Sequence, residues 1–314
     1  MTSSTKYKFQ SSLKLERLYI SGCGGMLGDA VYPHFKENYS VKATDINVNE
    51  DWLTYLDVRD FEAYKKDVTD FKPDVLIHLA ALTDLEYCEQ HIEETYDTNT
   101  KAVENAVIIA NQLDITLVYI CTAGIFDGKK DVYDDWDQPT PLNHYGRSKY
   151  YGERYVAEKG SKYFVFRAGW MTGGGPKKDK KFANKILKQI REGKKELFIV
   201  NDKLGTPTYT YDFAKNMEAV LQTPYYGIYN MVCDEITSRL EVTQEIVKVL
   251  NREDEIKITE VTSDYWKEEY FATRPYSERL MNAKLNLRNL NLMGGWRERI
   301  NEYLHSYYSD LIKK

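Results

Sequence analysis

The chain predicts an α/β fold: a doubly wound parallel sheet followed by a smaller C-terminal α/β part. Three observations carry this. Short, continuous apolar runs recur between helical patterns, a glycine triplet closes the first run and opens the first helix, and the alternation loosens after Ala168. Strands covered by helices on both faces read as continuous apolar runs, not as alternating ones. Right-handed crossovers then wind the chain to both sides of the sheet.

The elements follow in order. Arg17–Ser21 (RLYIS) reads as the first strand. Over 26–38, Met26, Leu27, Ala30, Val31 and Phe35 share one helical face. Val41–Asp45 is the second strand, and Phe61–Phe71 a helix stopped by Pro73. Asp74–Ala80 (DVLIHLA) is a buried strand, Glu94–Leu113 a long amphipathic helix, and Thr116–Cys121 (TLVYIC) another strand. Leu142–Lys159 reads as helix and Tyr163–Arg167 (YFVFR) as strand. Gly173-Gly174-Gly175-Pro176 and the run Lys177-Lys178-Asp179-Lys180-Lys181 mark a loop, and a basic helix follows to about Gly193. The lysine run reads as a solvated charged face.

Bulk properties narrow the classes. A length of 314 residues suits one large unit plus a smaller one, and 42% apolar residues are enough for a core. A net charge of −5 gives no reason to expect nucleic acid. Cys23, Cys88, Cys121 and Cys233 lack metal-ligand spacing, and the histidines form no pair, so no metal is expected; buried free thiols fit better than disulfides. Met1–Glu16 is a polar extension without the apolar run of a signal peptide, and no stretch approaches the ~20 apolar residues of a membrane span. The expectation is a cytoplasmic chain without membrane contact. A homodimer is allowed, dimers being the commonest oligomers.

Gly22, Gly25 and Gly28 lie at the first strand-to-helix turn. Gly22 permits the tight turn, Gly25 lets the backbone approach a pyrophosphate, and Gly28 lets the helix pack close to the strand. The helix start offers unpaired N–H groups and a positive dipole end to phosphates, with Met26 and Leu27 in the same loop. Asp45 ends the second strand, 17 residues after Gly28. A carboxylate there accepts from the adenosine ribose hydroxyls and repels a 2′-phosphate. No arginine follows it closely; Ile46 is next. The reading is a Rossmann domain that prefers NAD(H), with NADP(H) allowed. Asp57-Val58 fits an adenine contact, and Leu79, Ala80 and Ala81 let the cofactor lie against a strand end. Asn99, disfavoured within a helix, joins the cofactor shell either as a relay anchor or as a local cap. The domain spans 17–168, with 198–222 returning to it; 169–197 and 223–314 form the substrate part.

Tyr145 and Lys149 are four apart on a helix, so phenol and ammonium face one ligand. A carbonyl that gains hydride must also gain a proton. A phenol near pKa ~10 does this at neutral pH only when tuned, and a neighbouring Lys⁺ tunes it. Thr122 ends a buried strand, 23 residues earlier, where its hydroxyl can donate to the same carbonyl oxygen.

With these residues in hand, the chain resembles the extended short-chain dehydrogenase/reductases, specifically the dTDP-4-dehydrorhamnose reductase group. The resemblance runs over about residues 17–305 through SGCGGMLG (21–28), KPDVLIHLAALT (72–83), CTAGIFDG (121–128), PLNHYGRSKYYGE (141–153), FRAGW (166–170), NDKLGTPT (201–208) and RPYSERL (274–280). It implies an oxidoreductase that reduces the 4-keto group of a nucleotide-linked deoxy sugar, with Thr122, Tyr145 and Lys149 catalytic. It also implies substrate contacts at Thr83, Thr122, Ala123, Trp170, Asp202 and Arg274. Ala123 and Gly124 depart from the group, which has Asp and Tyr there. Losing hydrogen-bonding groups from a pocket changes substrate choice. Two alternatives stand: an epimerase or dehydratase that recycles NAD, and a non-catalytic regulatory subunit that binds a partner.

Overall fold

The computed structural model describes residues 15–313, so the polar extension expected over 1–16 falls almost wholly outside the described residues. A seven-stranded sheet organises the chain. Its strands are β1 (Arg17–Ser21), β2 (Ser40–Asp45), β3 (Leu53–Tyr55), β4 (Val75–His78), β5 (Thr116–Thr122), β6 (Tyr163–Ala168) and β7 (Gly227–Asn230). Their spatial order is β7-β6-β5-β4-β1-β2-β3, and every pairing is parallel. This is the doubly wound α/β sheet that the sequence predicts.

Alternate residues of each strand feed opposite cores. Leu18, Ile20, Ile77, Val118, Phe164 and Phe166 enter one buried cluster, and Tyr19, Leu76, Leu117, Tyr119 and Val165 enter the other. Both faces are therefore dry, which is why the strands read as unbroken apolar runs. Helices α1 (Gly28–Lys36), α2 (Phe61–Phe71), α3 (Ala102–Leu113), α4 (His144–Lys159) and α5 (Thr210–Leu221) are the main cover.

The boundaries differ from expectation where local bonds intervene. Met26 and Leu27 lie in the turn, and α1 starts at Gly28. The long helix expected over 94–113 is interrupted by a wider turn of π-helical type at Asp97–Lys101. There the buried Asn99 amide accepts from Leu82 N and donates to Leu82 O, which holds the helix against a neighbouring loop. Helix α4 starts at His144, because Asn143 Oδ1 caps Gly146 N at 2.7 Å. Two strands escaped the pattern: β3, three residues long and exposed at two of them, and β7, which the sequence gives to the substrate part.

Beyond β6 the sheets are small. Trp170–Thr172 pairs with Pro207–Tyr209, Glu196–Val200 with Lys257–Val261, and Leu204–Gly205 sits between Thr237–Ser238 and Ser277–Glu278. Among the described residues no helix is long and apolar enough to cross a membrane. The four cysteines are buried and free.

One buried ion pair ties α4 to the sheet. Arg167 on β6 grips Glu153 on α4 through Nε–Oε2 at 2.9 Å and Nη2–Oε1 at 2.6 Å, both side chains being almost fully enclosed. Removing one partner strands a charge in the interior. Glu153→Ala should lower the unfolding free energy by about 3–5 kcal/mol in urea melts, whereas replacing both residues by methionine should cost far less.

Candidate active site

Parallel strands place their carboxyl ends on one edge, and the chain leaves β1 and β4 in opposite directions there. That is where a crevice forms in such sheets. A cleft of about 1320 Å³ occupies this edge. Its walls include Gly22, Gly25, Met26, Leu27, Gly28, Asp45, Ile46, Asp57, Val58, Leu79, Ala80, Ala81, Thr83, Thr122, Ala123, Tyr145, Lys149, Trp170 and Arg274.

The glycine loop fits a dinucleotide. Gly22 has φ +74°, and a Cβ there would lie 2.2 Å from Ala80 N, so the turn is closed to any side chain. A Cβ on Gly25 would meet nothing within 4 Å; the cleft keeps that space open. No side chain caps α1; Asp29, Ala30 and Val31 donate to the carbonyls of Gly25 and Leu27, so the amides on offer to a phosphate are those of the turn at Met26 and Leu27.

Asp45 holds the loop itself: Oδ2 accepts from Gly24 N and Oδ1 from Asn47 N, each at 2.8 Å. Asp57 is gripped by Arg59 at 2.7–3.0 Å, and that guanidinium holds its carboxyl below the usual range.

The three expected catalytic residues meet at the far end of the cleft. Helix α4 begins directly on the turn after β5. A Cβ on Gly146 would lie 2.4 Å from Gly124 O, so only glycine lets the helix start come this close. Tyr145 is thereby carried beside Thr122, and Lys149 one turn further along. Gly124 N donates to Thr122 Oγ at 3.1 Å, and the hydroxyl's own hydrogen is directed at the Tyr145 phenol.

Burial pushes the Tyr145 phenol well above its ordinary value, and the Thr122 hydroxyl pulls it back in part. Burial lowers the Lys149 ammonium to about 8; it lies 4.3 Å from the centre of the Tyr119 ring and has no hydrogen-bond partner among the described residues.

Two expected contacts fall elsewhere. Asn99 is spent on Leu82 and on Ser148 Oγ and does not line the cleft. Asp202 accepts from Ser263 N and Oγ and is likewise absent from its walls, so it serves as a loop clasp. Thr83 is in the cleft, and Arg274 pairs there with Glu86 at 2.7 and 2.8 Å.

The lysine run corrects a further expectation. Lys177 remains exposed, but Lys178 is buried and donates to Gly24 O at 2.9 Å, and Lys181 donates to Thr83 O and Oγ at 3.0 Å. The run therefore reaches across the cleft, because the short helix Gly175–Lys178 turns it inward.

Two cleft residues were given no role by the sequence: Arg239, which falls in none of the stretches quoted above, and Glu278, which lies within RPYSERL. Arg239 stacks over Trp170 at 3.8 Å and Phe182 at 4.4 Å, with no ion pair or side-chain hydrogen bond among the described residues, and burial lowers it to about 10. Glu278 accepts from Trp170 Nε1 at 2.8 Å. A charge with no repeating context cannot be told from a surface charge in a sequence.

The family model described as the RmlD substrate binding domain matches residues 16–309. The chain belongs to that family. It is similar to dTDP-4-dehydrorhamnose reductase of Aggregatibacter actinomycetemcomitans, 28% identical with 71% of this chain and 76% of that protein covered. It is also similar to methionine adenosyltransferase 2 subunit beta of Danio rerio, 29% identical over 75% of this chain and 74% of the relative. The solved dTDP-4-dehydrorhamnose reductase of Bacillus anthracis, in complex with NADP, superposes with a TM-score of 0.84 at 27% identity, covering 93% of this chain and 99% of that one.

The Lys149 environment has a consequence for stability. Its folded pKa, about 8, lies below the ordinary 10.5, so between these values the unfolded chain keeps a proton that the folded chain has lost. Stability contributed by this group therefore rises with pH in that window, by at most about 1.4 kcal/mol per unit. Urea melts between about pH 8 and pH 9.5 should show this rise in the wild type, and Lys149→Met should flatten it.

Proposed function

We propose that the chain is an NAD(P)H-dependent reductase of the 4-keto group of a nucleotide-linked deoxy sugar. The observation that carries this is the meeting of Thr122, Tyr145 and Lys149 at the end of a cleft whose other end is a glycine-loop cradle. The names of the reductase relatives point the same way.

Gly22–Gly28 would hold the pyrophosphate, Asp45 and Ile46 the adenosine ribose end, and Leu79–Ala81 the strand-side edge. Lys149, whose ammonium has no hydrogen-bond partner among the described residues, would take the nicotinamide ribose hydroxyls. When bound, the reduced nicotinamide supplies the hydride. The chain's own residues supply the rest. Thr122 would turn its hydroxyl hydrogen from the Tyr145 phenol to the carbonyl oxygen and so steady charge that develops there. Tyr145 gives that oxygen its proton; burial favours the neutral phenol, so the transfer depends on neighbours that stabilise the phenolate. The Lys149 ammonium stabilises the phenolate left behind. Trp170, Thr83 and Arg274 line the side where the sugar nucleotide would lie.

Loss of NADH absorbance with 4-keto nucleotide sugars of different bases tests the reading. Turnover of at least one is expected, and Tyr145→Phe should cut kcat by ~10²-fold or more while NADH still binds. No turnover together with tight capture of a protein partner would favour the regulatory alternative.

For the cofactor we infer that both dinucleotides enter, with NAD(H) preferred. Asp45 stands at the ribose edge against a 2′-phosphate, and the nearby Lys177 and Lys178 are paired with Glu50, while a reductase relative is solved in complex with NADP. Asp45→Asn should lower KM for NADPH relative to NADH by about tenfold, one unpaired like charge being worth roughly 1.4 kcal/mol in a half-exposed site. An unchanged ratio of the two KM values would remove Asp45 from the discrimination.

A further inference from the structure

Close to the catalytic end of the cleft a carboxylate faces Gly124, a residue without a side chain. A Cβ built there would lie 3.5 Å from Thr122 Oγ, 3.6 Å from Tyr145 Cε1 and 3.5 Å from Glu278 Oε1. These three groups, from β5, α4 and a segment more than a hundred residues later, therefore face one space.

Glu278 is held there firmly. The strand Ser277–Glu278 pairs in parallel with Leu204–Gly205. Lys203 Nζ donates to the carbonyls of Arg274 and Pro275 at 3.2 Å, and Leu204 N donates to Tyr276 O at 3.0 Å. Trp170 Nε1 occupies Oε2 at 2.8 Å, and Arg239 lies over the Trp170 ring at 3.8 Å, which fixes the indole in turn. Oε1 has no hydrogen-bond partner among the described residues. An oriented acceptor with free lone pairs thus stands beside the two hydroxyls that would hold a carbonyl oxygen.

We propose that Glu278 is a specificity-determining residue whose Oε1 accepts a hydrogen bond from the hydroxyl on the ring carbon next to the reacting carbonyl. The inference rests on the reductase reading above. A 4-keto hexose has two neighbouring carbons: carbon 5 carries the ring oxygen and the methyl group, and carbon 3 carries a hydroxyl. The donor that Glu278 selects is therefore the 3-hydroxyl. A pocket built to take a hydroxyl hydrogen bond rejects the analogue that lacks it, since the acceptor is then buried without a partner.

The test is kcat/KM for a matched pair, a 4-keto nucleotide sugar with its 3-hydroxyl and its 3-deoxy analogue, with NADH titration of each protein to verify an intact cleft. The wild type should prefer the 3-hydroxy compound by about tenfold or more. Glu278→Ala should bring the two within about threefold, mainly by slowing the hydroxylated one. Glu278→Gln keeps an oxygen acceptor and should fall between them. A wild-type preference that persists in Glu278→Ala, or a wild type with no preference, overturns the assignment while leaving the reductase reading intact. If Glu278→Ala fails to bind NADH, the ratio in Glu278→Gln decides: a lowered ratio supports the assignment and an unchanged one overturns it. A wild type that turns over neither compound nor any other 4-keto nucleotide sugar removes the reductase reading and this assignment with it.

Discussion

All seven strands of the central sheet run the same way, so their carboxyl ends share one edge. Each strand there hands its chain to a turn, and those turns are the site. β1 gives the glycine loop, β2 gives Asp45, β4 gives Leu79–Ala81, β5 gives Thr122, and β6 gives the way to Trp170. A parallel sheet requires crossovers, the crossovers bury both faces, and a sheet buried on both faces must be apolar throughout. The polar work is thereby confined to the strand ends. Helix α4 adds the remaining pieces by starting against the Gly124 carbonyl, and the Arg167–Glu153 pair fixes its middle to β6.

Much of this could be read from the sequence, for a physical reason. Continuous apolar runs and a glycine triplet at the first turn are local signals, and the sheet and the cradle follow from them. Thr122, Tyr145 and Lys149 were legible because one strand end and one helical spacing define them. What stayed hidden depends on distant partners. β7 became a strand only by pairing with β6, and β3 was too short to show a period. Asn99 and Asp202 are polar residues whose donors, Leu82 and Ser263, lie outside their own segments. Lys178 reads as one charge in a charged run until the turn of Gly175–Lys178 carries it to Gly24. Glu278 owes its position to Leu204, Lys203 and Trp170, none of which adjoins it in sequence.

The relatives include proteins named as reductases and others named as a subunit of an adenosyltransferase. Fold and cradle do not separate these two kinds of protein. In this chain Thr122, Tyr145 and Lys149 stand together at the strand end, beside Ala123 and Gly124.

That arrangement divides the site by origin. Thr122, Tyr145 and Lys149 belong to the sheet edge and to α4, where Gly146 tolerates no side chain without displacing the helix. The facing wall comes from the strand at residues 277–278, which is anchored to its own small sheet. That segment is also tied to the opposite wall: Thr273 O accepts from Nδ2 of Asn143, the side chain that caps α4, and Glu278 accepts from Trp170. A change written into the strand is therefore felt at the start of α4, and the two surfaces of the pocket must evolve together.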